Sequence, residues 1–150
     1  MKPEWISLIL SIFAVMFTYV GYRHQVKPSI KIIAVISGND ADTVVIELKR
    51  LKHGYHFYRV ETISPETCLI YDYGEGNYTP HIPLHLIHSR VLELNYWINP
   101  ESDRSGACRF WFTVSKNDKG RSLRLCFKNA LFPYKSSSVI PIGSEGLTVI

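Results

Sequence analysis

The chain has 150 residues, enough for one globular domain and too few for two. Its charge is mildly basic, 17 Lys and Arg against 13 Asp and Glu. That balance is too slight to predict a nucleic-acid footprint, and it suits a surface near anionic lipid headgroups at least as well. Three cysteines, Cys68, Cys108 and Cys126, cannot all pair within one chain, so no secreted disulfide framework is expected.

The first expected element is Trp5–Tyr22, a run without a single charge. At about 1.5 Å per residue it makes a helix of roughly 27 Å, the thickness of a bilayer core. Trp5 at one end and Tyr19 and Tyr22 at the other sit where amphipathic rings favour the headgroup level. A cleaved signal peptide needs small residues after its apolar run, and Tyr19, Tyr22 and Arg23 stand there instead. A buried core helix needs a polar face, and this run has none. The expected organisation is therefore a tail over 1–4, a transmembrane helix over 5–22, a juxtamembrane linker over 23–28 and a β domain over 29–150.

Lys2 and Glu4 precede the helix, whereas Arg23, Lys27 and Lys31 follow it. The positive excess on the C-terminal side predicts an N-out, C-in, single-pass protein of a cell membrane, a bacterial inner membrane, with a cytoplasmic β domain. Within the helix, Ser7, Ser11, Ala14, Thr18 and Gly21 recur at steps of 4, 3, 4 and 3 and share one stripe. In lipid, close backbone approach along small residues is a principal route to helix association, so the stripe is a candidate homo-oligomer contact.

Beyond the helix the period is two. Ile30, Ile32, Ala34 and Ile36 form one face of a first strand, and Ser37-Gly38-Asn39-Asp40 is the turn after it. Val44, Ile46 and Leu48 alternate with Thr43, Val45, Glu47 and Lys49 until His53-Gly54. Phe57–Ile63 reads as a strand closed by Ser64-Pro65-Glu66, and Cys68–Tyr73 as a short strand before the turn residues Gly74-Glu75-Gly76-Asn77. Leu92, Leu94 and Tyr96 alternate with Glu93 and Asn95. Cys108, Phe110, Phe112 and Val114 alternate with Arg109, Trp111 and Thr113, and Asn117-Asp118-Lys119-Gly120 reads as a hairpin turn into Leu123, Leu125 and Phe127. Leu147–Ile150 reads as a last strand. Short strands punctuated by Gly, Pro, Asn and Asp predict an all-β antiparallel sandwich, with a small closed β-barrel as the alternative. Ile46, Phe110, Phe112, Leu123 and Leu125 are its expected core, and Arg109 and Arg124 should face outward.

Three segments carry a resemblance: Glu47–Arg59 with Gly54 at its bend, Ile82-Pro83-Leu84 before the strand Arg90–Trp97, and Arg109–Leu125 with its Asp118-Lys119-Gly120-Arg121 turn. In this order they resemble the immunoglobulin-like and fibronectin-III-like domains that many small bacterial membrane proteins carry after one N-terminal helix. The resemblance implies architecture alone.

Chemistry-bearing patterns are sparse. His81, His85 and His88 would share a helix face and are weak metal candidates, but Pro83 interrupts them and no acid or paired cysteine completes a zinc set. No Gly-x-Ser-x-Gly elbow and no phosphate-cradling Gly-rich loop occurs. Lys49, Arg50 and Lys52, with Arg121, Arg124 and Lys128, are candidate contacts for an anionic ligand, near Tyr55, Tyr58 and Trp111 in sequence. No cofactor and no nucleic acid is expected. The pattern predicts a non-enzymatic, membrane-anchored interaction module that holds a protein or lipid-proximal partner. The rival is a ligand-gated effector, whose β domain senses a small anionic, nucleotide-like molecule and whose helices assemble to perturb the bilayer. A deep basic pocket would favour the rival, and a filled core with a flat surface the module.

Overall fold

The structure is a computed structural model. It describes residues 3–25, 28–49, 54–80, 87–99, 107–116, 120–129 and 135–143, with the side chains of the N-terminal helix given from Glu4 to Val20.

That helix, α1, spans Pro3–Gln25. A proline in the first turn loses no hydrogen bond, because its missing N–H would have no intrahelical partner there. Ser11 Oγ donates to the Ser7 carbonyl at 2.9 Å and Thr18 Oγ1 to the Ala14 carbonyl at 2.8 Å, so neither hydroxyl presents an unpaired donor. Every described side chain of α1 is exposed, Phe17 to 75%. Among the described residues no helix is long and apolar enough to cross a membrane; the described side chains stop at Val20, whereas the uncharged run continues in sequence to Tyr22.

Eight strands follow: β1 Ser29–Ser37, β2 Ala41–Lys49, β3 Tyr55–Ser64, β4 Ile70–Glu75, β5 Val91–Ile98, β6 Ala107–Ser115, β7 Arg121–Asn129 and β8 Lys135–Ile142. They form two four-stranded antiparallel sheets, ordered β1-β2-β6-β4 and β5-β3-β7-β8. The result is a β-sandwich. Among the described residues each sheet keeps two edges and does not close into a barrel. A single bridge, Ile70 to Ser89, links the start of β4 to the chain entering β5.

The inner faces meet in one apolar core. Phe57 lies at its centre, stacked on Phe127 at 4.7 Å and edge-on to Phe110 at 5.2 Å and Phe112 at 6.2 Å. Ile46, Phe110, Phe112, Leu123 and Leu125 are all buried as their alternation required, and Arg109 and Arg124 lie on the outer faces with half-exposed side chains.

Three expectations need correction, and one strand has no counterpart in the sequence reading. First, Arg109–Leu125 is not a hairpin: β6 belongs to one sheet and β7 to the other, so the chain crosses the sandwich between Lys116 and Gly120. Phe110 and Phe112 thereby face Phe57 and Phe127 across the core instead of lying beside them in one sheet. Second, a bulge between Ile32 and Ala34 shifts the phase of β1. Ile30 and Ile32 pack on the core, but Val35 pairs with the inward Val44, which sends Ala34 and Ile36 to the outer face. Third, Gly74 and Glu75 lie within β4, opposite Trp111 and Phe110. The unforeseen strand is the Ser-rich run Lys135–Ile142, an edge strand among the described residues, in which Pro141 is tolerated because one side needs no ladder donor. Leu147–Ile150 lies outside the described residues.

The position of Gly74 has a specific cause. Trp111 points to the outer face of its sheet yet is 8% exposed, its ring lying over Gly74 and edge-on to Tyr78 at 5.2 Å. A Cβ at Gly74 would stand 2.4 Å from Trp111 Cζ2, and a rigid indole has no flexible end to yield. Gly74→Ala is therefore expected to lift Trp111 off the sheet and to cost about 1–3 kcal/mol, the range for overpacking. A red-shifted tryptophan emission with a lowered unfolding midpoint is the expected reading; unchanged emission and midpoint would refute it.

Candidate functional site

Sheet register decides which charged side chains meet. On the outer face of β1-β2-β6-β4, Lys31, Glu47 and Arg109 occupy one rung. Glu47 takes Lys49 at 2.8 Å and Arg109 at 3.2 Å, and Arg109 also donates to Asn77 Oδ1 at 2.7 Å. The Lys49 ammonium, with Arg109 beside it, holds the Glu47 carboxyl below its ordinary range.

On the outer face of the other sheet, Trp97, His56, Lys128 and Lys135 follow one another across the four strands in a single rung. His56 stacks on the Trp97 ring at 4.6 Å with 11° between planes, and its Nε2 lies 3.0 Å from Asn95 Oδ1. Lys135 Nζ sits 5.8 Å from the centre of the Tyr58 ring, a cation–π distance. Two rungs further along, Glu61 binds Arg124 at 2.5 Å and Arg59 at 3.7 Å, while Arg59 also reaches Glu93 at 3.4 Å.

The six basic candidates do not form one cluster. Arg50 and Lys52 lie outside the described residues. Lys49 and Lys128 share an end of the sandwich but belong to opposite sheets, and Arg124 is paired in mid-sheet. Arg121 is buried at the far end, bound to Asp42 at 2.5 Å and donating to the Ser115 carbonyl at 3.0 Å. His81 and His85 also lie outside the described residues, and His88 packs edge-on to the Tyr71 ring at 5.1 Å. Among the described residues no group of three His, Cys, Asp or Glu could hold a metal ion.

Two of the three thiols, Cys68 and Cys126, are not activated. Burial pushes both Cys68 and Cys126 above the ordinary thiol value, which leaves them protonated and poor nucleophiles. Tyr58, beside Cys126, is raised for the same first reason. A shallow hollow on the first sheet is lined by Ile36, Asn39, Asp40, Thr43, Tyr78 and Thr113 among others, with no basic residue. A second hollow runs along α1 at Ala14, Val15, Thr18 and Tyr19 and is apolar. Neither has the charge to hold a phosphate.

Sequence reasoning missed the Trp97–His56–Lys128–Lys135 rung. Its members come from four strands far apart in the chain, and the only sequence signal was Trp97 standing in the polar phase of its strand. The chain matches no protein-family model, no curated protein and no solved structure.

Proposed function

We propose that this chain is a non-enzymatic, single-pass membrane anchor carrying a cytoplasmic β-sandwich that holds a partner at the membrane. One observation carries the reading. From Trp5 to Val20, α1 carries no charge and every side chain is exposed, its serine and threonine hydroxyls sharing one stripe with those of Ser11 and Thr18 bonded back to the helix, while no described residue of α1 belongs to the core of the sandwich. A long uncharged helix with large apolar side chains exposed on most of its surface needs an apolar surrounding, and Trp5–Tyr22 in the sequence has the length for a bilayer. Arg23, Lys27 and Lys31 support the C-in orientation.

We read the sandwich as immunoglobulin-like. Without β5, its strand orders β1-β2-β6-β4 and β3-β7-β8 follow the ABED and CFG orders of a constant-type domain, and β5 is an added edge strand. A filled core, and described hollows lined by no basic residue, fit a carrier of surface better than a sensor of small anions. The stripe Ser7, Ser11, Ala14, Thr18 and Gly21 gives the anchor a face on which two copies can approach, and Ala14 and Thr18 line the hollow described above.

Reporter fusions at the C terminus test the topology. A reporter that works only in the cytoplasm should be active, and one that needs export should be silent. The opposite pattern overturns the orientation, and release of the chain from membranes by alkaline carbonate overturns the anchor.

A further inference from the structure

The end of the sandwich next to α1 is not like the other end. The helix closes at Gln25 and β1 opens at Ser29, so at most about 14 Å of chain separates them. The ends of β2, β4, β5 and β7 and the starts of β1, β3, β6 and β8 lie on this side. Among the three terminal residues of each strand here, five are basic (Lys31, Lys49, Arg109, Lys128 and Lys135) and two acidic (Glu47 and Glu75). The same count at the opposite end gives Arg121 alone against Asp42, Asp72 and Glu93. The domain is polarised along the axis that the helix enters.

The basic end also presents an aromatic group to solvent. Trp97 is 65% exposed although it lies in a regular strand, and the stacked His56 holds its ring in place. Lys128 and Lys135 complete the same rung, both exposed, and with Lys31 they make no ion pair among the described residues. An indole and two ammonium groups on one rung, two and three strands apart, match a bilayer interface, where indoles favour the headgroup level and ammonium groups meet lipid phosphate.

We propose that the helix-side end of the sandwich, through Trp97, Lys31, Lys128 and Lys135, docks on the anionic surface of the bilayer that α1 anchors it to. This rests on the anchor reading for its geometry. The occupant is the bilayer rather than a second protein because the tether keeps this end within reach of the headgroups, and lysines with no ion pair among the described residues complement their charge. The docking sets the orientation of the domain. Its opposite end, with the β1–β2 turn and the loop after β3, then faces away from the membrane toward partners.

The test uses the full chain reconstituted in vesicles of phosphatidylcholine, with and without phosphatidylserine, each doped with bromine-labelled phosphatidylcholine as a membrane quencher. The contribution of Trp97 is the signal of the parent chain minus that of Trp97→Phe, so the other two tryptophans cancel. Quenching of Trp97 should appear in the anionic vesicles, fall as salt rises, and be weak in neutral ones. In the variant Lys128→Gln/Lys135→Gln the docked-to-undocked ratio should drop by about fivefold per lysine. Equal quenching in both lipids, or a variant indistinguishable from the parent, overturns the docking, as does absence of quenching in both. The anchor reading has a separate readout, resistance of the chain to carbonate extraction from the neutral vesicles. A chain released there but bound to anionic vesicles in a salt-sensitive, Lys128- and Lys135-dependent way would keep the docking and lose the anchor.

Discussion

Replacing Arg121 with alanine is expected to remove about 3–5 kcal/mol of folding stability, the cost of leaving one member of a buried ion pair alone. Arg121 and Asp42 are 8% and 3% exposed, and they join opposite sheets: Asp42 is the second residue of β2 and Arg121 the first of β7. The same guanidinium donates to the carbonyl of Ser115, the last residue of β6. It therefore clasps the point at which the chain leaves one sheet and enters the other. Alanine there strands the Asp42 carboxylate in the interior, and Asp42 Oδ1 already has no hydrogen-bond partner among the described residues. The double variant Asp42→Leu/Arg121→Met removes both charges and should recover most of the loss, because apolar groups of similar volume replace a buried pair at little net cost. Urea unfolding of the full chain in mild detergent, followed by tryptophan fluorescence, measures both. A single variant within about 1 kcal/mol of the parent would show that water already reaches the pair, as at an exposed bridge.

Arg121 also marks where the sequence stopped being legible. Alternation placed the core correctly, because a period of two fixes which side chains point inward whatever the strand pairs with. It says nothing of which strand is the neighbour. Asn117–Gly120 has the composition of a two-strand turn, yet the chain uses it to change sheets, since Phe110, Phe112 and Phe127 fill the core only from opposing faces. The bulge at Ile33 was illegible for a related reason. All residues from Ile30 to Ile36 are apolar except Lys31, so nothing in the run announces a shift of phase. The strand Lys135–Ile142 was hidden by three serines and a proline that only an edge position tolerates. The candidate surface was the least readable part. A rung across a sheet is a set of register partners, and register is set by bulges and turns that local composition does not specify.

The largest effect is expected in α1. Leu10→Arg/Phe13→Arg puts two guanidinium groups near the middle of Trp5–Tyr22, at about 2.5–3.5 kcal/mol each on insertion scales. Together that is on the order of a thousandfold or more against spanning, and snorkelling relieves it poorly from the centre of the run. The chain should move from the membrane fraction to the soluble or aggregated fraction, while the sandwich keeps its fold because no described residue of α1 belongs to the core. Leu10→Val/Phe13→Leu keeps the run apolar and should leave the parent distribution unchanged. Gly21→Leu with Ala14→Leu separates association from insertion: such a chain should stay in the membrane but crosslink less than the parent, since bulk on the small-residue stripe holds two helices apart. Alkaline extraction and crosslinking of the four chains read all of this in one experiment. If α1 instead covers an apolar groove on a water-soluble protein, carbonate releases the parent chain as readily as the arginine variant, and the anchor reading fails. If the parent stays in the membrane but never crosslinks, the anchor stands and the stripe is only a lipid-facing surface with small side chains.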